Sequence, residues 1–543
     1  MLRRLSLYWF ALLLSLSTVQ AQTPGLVRPK LVVGVMIDQM RWDYLYRFYD
    51  RYGSGGFKRL LNEGFSCENT FIPYAQTVTA AGHTTVYTGT TPAIHGIVGN
   101  DWYEKQLGRS MYCTSDETVR TIGGDPKAAP QSPRNLWTNT ICDELKLATN
   151  FRSKVVGVAI KDRGGILPAG HSADAAYWYD GKSGNWVTST YYMNELPDWV
   201  NRFNSRKVVD SFYRLNWNTL YPIKTYVQSD EDDVKYEGKY SHEKAPVFPH
   251  ELASLAGKSY GTISATPYGN TMTLAFARQA MEAEKMGADA ITDFLAVSLS
   301  SPDYIGHQFG PNSIEVEDTY LRLDRDLASF MQYLDAKVGK GQYLLFLTAD
   351  HAVAHNPNFL AKHKYPTRLL PNSGTGLKKL LKEKYGIENL ILDMDNYQIY
   401  LNDKAIDSAG LSMTEVKAYI VDHLNKEDGI LLAFDNANIN AVNLPAEMRE
   451  RFQNGFNYKR GGDIQIVLKP GNFFGYADGT GSTHGSWYPY DSHIPLLFMG
   501  AGVRKGKSNQ TRYMTDIAAT LAAILRIQMP NGSIGQPITE AIK

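Results

Sequence analysis

Leu31-Val-Val-Gly-Val-Met-Ile37 carries no polar side chain and runs straight into Asp38-Gln39. A strand with one wet face alternates apolar and polar residues. An unbroken apolar run marks a strand covered on both faces, as in a parallel sheet between helices. Comparable runs recur at residues 155–160, 294–299, 343–347 and 494–499. Helical patterns lie between them, at 56–62, 136–147, 271–285 and 315–334, with an amphipathic stretch at 516–527. The alternation predicts an α/β fold, a mostly parallel central sheet covered by helices on both faces.

Two long regions break the alternation. Residues 172–285 are rich in Tyr, Trp, Asn and Asp and include the acidic run 230–233, read as a solvated loop. Residues 353–480 include a lysine-rich helix at 377–384 and a strand-like stretch at 464–468. Both are expected to be inserted cap subdomains, which divides the core into 22–171, 286–352 and 481–543.

Composition narrows the function classes. Of 543 residues, 43% are hydrophobic and 20% charged, a globular profile. Lys+Arg (56) balances Asp+Glu (55), so no basic field favours nucleic acid, and no nucleic-acid-binding surface is expected. Residues 1–21 read as a signal peptide: Arg3 and Arg4, an apolar run over 5–16, then Ser17-Thr-Val-Gln-Ala21 with small residues before the cut. The mature chain is therefore expected in the periplasm or outside the cell, with no membrane span, as a monomer. Three cysteines, Cys67, Cys113 and Cys142, allow at most one internal bridge. Cys67 with Cys113 is the favoured pair.

Chemistry gathers at the ends of the apolar runs. Asp38 follows the first; Asp303 and His307 follow 294–299; Asp350 and His351 follow 343–347; His484 lies just before 494–499. Ligands of open α/β sheets bind at the carboxyl ends of the strands. The Asp303/His307 spacing puts both side chains on one face of a helical turn. Three Asp with three His suit two zinc ions; an all-oxygen set would favour Mg²⁺ or Ca²⁺. Thr79, in Thr77-Val-Thr-Ala-Ala-Gly-His83, stands where a helix begins, so its hydroxyl is a candidate nucleophile at a positive helix end. Thr77, Thr84 and Thr85 are rivals, and His83 reads as a buttress. Lys161 and Arg163 follow 155–160. Cations beside a metal pair require an anion between them, and a phosphoryl group fits. Asn100 adds a neutral donor. P-loop, dinucleotide and His-Glu-x-x-His motifs are absent from the sequence.

The motifs Val35-Met-Ile-Asp-Gln39, Thr77-Val-Thr-Ala-Ala-Gly-His83, Lys161-Asp-Arg163, Ser301-Pro-Asp-Tyr-Ile-Gly-His307, Thr348-Ala-Asp-His351 and Thr483-His-Gly485, in this order, resemble those of the alkaline phosphatase superfamily, and within it the exported, phosphate-irrepressible alkaline phosphatases of the PafA type. The resemblance implies an alkaline-phosphatase-like fold and broad hydrolysis of small phosphate monoesters. It implies one zinc on Asp303, His307 and His484, and a second on Asp38, Asp350 and His351 with Thr79 as a further ligand. It also implies a phosphothreonine at Thr79, with Asn100, Lys161 and Arg163 holding the phosphoryl oxygens. A nucleotide pyrophosphatase/phosphodiesterase with the same metals is the alternative.

Overall fold

The computed structural model describes residues 28–371, 374–475 and 479–543. The expected signal peptide, 1–21, lies outside them. The run that opened the sequence reading is β1 (Leu31–Ile37), buried at every position and central in the main sheet. Further strands of that eleven-stranded sheet include β2 (Phe65–Phe71), β3 (Val155–Ala159), β4 (Ala175–Asp180), β5 (Asn185–Ser189), β6 (Asp293–Leu299) and β7 (Tyr343–Thr348). A second sheet contains β8 (Ile391–Asp395), β9 (Gln398–Leu401), β10 (Ile430–Asp435) and β11 (Ile464–Leu468). β12 (Leu496–Gly500) and β13 (Gly506–Tyr513) return to the main sheet. Neighbours across its middle run β2-β12-β7-β1-β6-β3-β4-β5.

β7, β1, β6, β3 and β4 are parallel, so their carboxyl ends share one rim. The helices used below are α1 (Thr79–Thr88), α2 (Asp162–Ala169), α3 (Tyr268–Glu284), α4 (Ser301–Phe309), α5 (Ile314–Leu334) and α6 (Asp516–Leu525). α1 packs with α2 and α6, whereas α3, α4 and α5 form a separate group on the sheet.

Three readings of the sequence need correction. The run at 494–499 is not a parallel strand: Pro495 interrupts it, and β12 pairs antiparallel with both β7 and β2. Its side chains are apolar because both faces are covered, and coverage carries no information on direction. The region 172–285 is not wholly an insertion. β4 and β5 continue the main sheet, and Phe276 of α3 stacks on Trp186 with ring centroids 4.3 Å apart. Cys67 and Cys113 are not bridged; all three cysteines are free and buried. Cys67 sits in the main core, whereas Cys113 belongs to a separate cluster with Trp102 and Leu136.

Residues 369–474 carry the second sheet and an apolar cluster of their own, including Ile399, Val416, Ile420 and Ile464. The lysine-rich helix turns Leu377 and Leu381 into that cluster and leaves its lysines wet. With no disulfide to break, a thiol reductant is expected to leave the melting temperature unchanged, and titration of the unfolded chain should find three free thiols. A reductant-sensitive melt or fewer thiols would show a bridge.

Candidate active site

Each strand-end side chain singled out above lies on the shared rim. Asp38 leaves β1 with its backbone N–H bonded to Leu299 O at 3.1 Å. Asp303 and His307 sit one turn apart on α4, which begins directly beyond β6. Asp350 and His351 follow β7, and His484 reaches in from the loop before β12. The structure gathers Asp38, Asp350 and His351 into one group of potential ligand atoms within 4.8 Å, and Asp303, His351 and His484 into a second. His307 joins the second group, its Nε2 lying 3.2 Å from both Asp303 Oδ1 and His484 Nε2.

The second nitrogen of each ring fixes its orientation. Nδ1 of His307, His484 and His351 faces the carbonyl oxygens of Ser482 (2.8 Å), Thr77 (2.7 Å) and Ala352 (3.0 Å) respectively. All three therefore point Nε2 inward, the arrangement that metal-binding histidines use. Burial outweighs the opposing pull of Asp350 and Asp303 and pushes His351 down to about 3; burial also lowers His484 against Asp303, so both are neutral with a free lone pair at neutral and alkaline pH.

Three carboxylates share this volume. Asp38, Asp303 and Asp350 are 0%, 3% and 0% exposed. Burial, with Asp350 adding to it, raises Asp38 well above the usual carboxylate range. Burial opposes ionisation of Asp350 too, but His351 and His83 beside it hold it low. Asp38 Oδ1 is buried without a hydrogen-bond partner, and Asp350 Oδ2 meets only the imidazoles of His83 (3.2 Å) and His351 (3.4 Å). Carboxylate oxygens facing inward-turned imidazoles form a donor set that fits a divalent cation of mixed N/O preference.

Thr79 is the first residue of α1, a helix buried along its whole length and without a side-chain cap. Its Oγ1 lies 3.4 Å from His351 Nε2 and 3.4 Å from Lys161 Nζ. The rivals are elsewhere: Thr77 Oγ1 donates to Ser486 O, Thr84 Oγ1 to Ala80 O, and Thr85 Oγ1 faces His95. α1 comes this close because Gly82 has no side chain; a Cβ there would meet Asp350 O at 2.2 Å. His83 joins Thr79 O (2.9 Å), Asp350 Oδ2 (3.2 Å) and Ser298 Oγ (2.8 Å), tying α1, Asp350 and β6 together.

Lys161 is buried between the two groups, its Nζ donating to Asp38 Oδ2 (2.7 Å) and Asp303 Oδ2 (2.5 Å). Burial would lower its pKa, but Asp303 and Asp38 raise it above the lysine value, so it stays charged. Arg163, at the start of α2, is held by the Tyr112 hydroxyl at 2.9 Å. Asn100 accepts from Ala80 N–H at 3.0 Å, beside Thr79.

Gln39 was not singled out in the sequence. It adopts φ = 68°, its N–H donates to Asp350 Oδ1 (3.1 Å) and its side-chain amide to Asp303 Oδ1 (2.7 Å), so it braces both groups. Its place directly after Asp38 was the available signal; the left-handed backbone was not legible.

The family model for type I phosphodiesterase / nucleotide pyrophosphatase matches residues 32–487. The chain belongs to this family of the alkaline phosphatase superfamily. It is 52% identical to alkaline phosphatase PafA of Elizabethkingia meningoseptica, over 96% of each chain. It is 55% identical, over 95% of each chain, to a Myroides odoratus protein named a calcium-transporting ATPase. The crystal structure of wild-type PafA superposes with a TM-score of 0.92 at 52% identity, covering 95% of this chain and 99% of that one. Among the described residues no helix is long and apolar enough to cross a membrane.

Replacing His83 with Ala should lower kcat by about 10- to 100-fold with the fold intact, the usual cost of removing a group that orients the side chains of a site from behind. Steady-state kinetics with circular dichroism checks this; unchanged kcat would remove His83 from the positioning role.

Proposed function

We propose that the chain is an exported alkaline phosphatase that hydrolyses phosphate monoesters broadly through a phosphothreonine at Thr79, with two zinc ions. The observation that carries the reading is Thr79 Oγ1 set between Lys161 and His351 at the edge of three buried carboxylates. Identity to an enzyme named alkaline phosphatase over nearly the whole chain supports it. The reading of residues 1–21 supports export.

Asp303, His307 and His484 would hold one zinc; Asp38, Asp350 and His351, with Thr79, the other. Bound there, zinc would offset the three carboxylates, favour the ionised Thr79 hydroxyl and stabilise charge on the attacking and leaving oxygens. Thr79 Oγ attacks phosphorus, and the bond from phosphorus to the leaving alcohol oxygen breaks. Water then attacks the same phosphorus, and the bond to Oγ breaks, releasing phosphate and restoring Thr79. The α1 N-terminus contributes positive potential at the phosphoryl group. Lys161, Arg163 and Asn100 hold its non-bridging oxygens, where charge is densest.

The family description favours one competitor, a phosphodiesterase on the same residues. A diester has one non-bridging charge fewer and a second bulky substituent, so it gains less from two cations. Replacing both Lys161 and Arg163 with Ala should lower monoester kcat/KM by on the order of 10³-fold, while diester kcat/KM changes less than about tenfold. Unchanged monoester turnover would favour the phosphodiesterase.

Thr79→Ala should lower monoester kcat by on the order of 10³-fold or more and abolish acid-trapped phosphothreonine in mass spectra. Phosphothreonine found at Thr77 or Thr84 in that variant would identify a different nucleophile.

A further inference from the structure

β8 and β9 are joined by the two-residue turn Asn396-Tyr397, with φ of 50° and 60°. Left-handed backbone is ordinary for Asn and unfavourable for an aromatic residue, so surrounding contacts must hold this tip in place. Asn396 Nδ2 donates to Asp101 O at 3.3 Å, one residue beyond Asn100. The Tyr397 ring lies over Gly485, the residue after His484; a Cβ there would meet the ring at 3.1 Å. It also packs against Phe474, with centroids 5.7 Å apart and planes inclined at 31°.

The hairpin tip thereby walls a cleft of about 330 Å³ that opens onto Asn100, His307 and His484. Tyr397, Phe474, Met394 and Ile466 form part of its apolar wall, and Gln398 and Thr483 are among its polar lining. The volume falls in the range of small-molecule sites. Asp395 lies at its edge, its oxygens accepting from the backbone N–H and side-chain amide of Asn396 at 2.9 Å each. Burial, with Asp101 and Asp393 nearby, raises this carboxyl to about 7, so it is ionised under alkaline conditions.

Direction decides what the cleft receives. Thr79 stands on the Asp350 side of the site: His83 Nδ1 faces both Thr79 O (2.9 Å) and Asp350 Oδ2 (3.2 Å), and α1 packs against Asp350 through Gly82. In-line displacement sends the leaving oxygen away from the nucleophile, toward the Asp303, His307 and His484 side. We propose that the cleft behind His307 and His484 is the subsite for the departing alcohol, and that it selects flat, apolar alcohols without negative charge (aryl and nucleoside groups) over those carrying a carboxylate or further phosphates. Tyr397 and Phe474 supply the apolar faces, and Asp395 repels acidic substituents. The proposal rests on the phosphomonoesterase reading.

Phosphonates test binding without the unequal reactivity of aryl and alkyl esters. On the metal-loaded enzyme, phenylphosphonate should inhibit about 10-fold more tightly than methylphosphonate, the scale of one good aromatic contact. Tyr397→Ala should abolish that preference and leave methylphosphonate inhibition unchanged, while Tyr397→Phe retains it. Asp395→Asn should tighten 4-carboxyphenylphosphonate about 5-fold and leave phenylphosphonate unchanged. Equal inhibition of the wild type by phenyl- and methylphosphonate, with methyl phosphate still hydrolysed, would overturn the subsite and leave the phosphatase reading standing. Equal weakening of both phosphonates in Tyr397→Ala would also overturn it. Absence of both phosphonate inhibition and methyl phosphate hydrolysis would overturn both readings.

Discussion

Three aspartates within reach of one another and closed to water are the constraint on which the site depends. Asp38, Asp303 and Asp350 lie at the rim of the sheet, with Lys161 bridging two of them. Burying a carboxylate costs several kcal/mol unless charge and hydrogen bonds offset it, and one ammonium does not offset three. The upward shift of Asp38 registers that excess, and its orphaned Oδ1 marks where compensation is missing. The donor chemistry of this volume is therefore that of a cation site.

A rigid frame makes the crowding tolerable. Asp38, Asp303 and Asp350 extend from β1, β6 and β7, adjacent parallel strands whose interiors are wholly buried, so the carboxylates cannot separate without breaking the sheet. Gln39 and His83 brace them from two sides. Gly82 lets α1 approach closely enough for Thr79 to join them. The same rigidity extends outward through Asn396, which ties the second sheet to the loop bearing Asn100.

The central strands were legible because parallel, doubly covered strands leave a pattern no other element shares: 31–37 matches β1 residue for residue. The site was legible for a related reason, since polar residues placed directly after such runs must lie on the rim. What failed depended on direction or distance. The 494–499 run was apolar for the right reason yet antiparallel, and β2, with Glu68 and Asn69 in its sequence, carries too many polar residues to stand out. The Cys67–Cys113 pairing rested on counting thiols, which is blind to their lying in different clusters. Gln39 depends on a positive φ, and the Tyr397 cleft depends on two segments some 80 residues apart meeting beside His484. Neither leaves a periodic trace.

Anomalous diffraction at the zinc edge, from crystals of the protein purified without chelator, tests the central claim most directly. Two peaks per chain, one among Asp38, Asp350 and His351 and one among Asp303, His307 and His484, are the expected result. A fully occupied anomalous scatterer elsewhere, with no peak among these six side chains in an enzyme that still turns over monoesters, would contradict it.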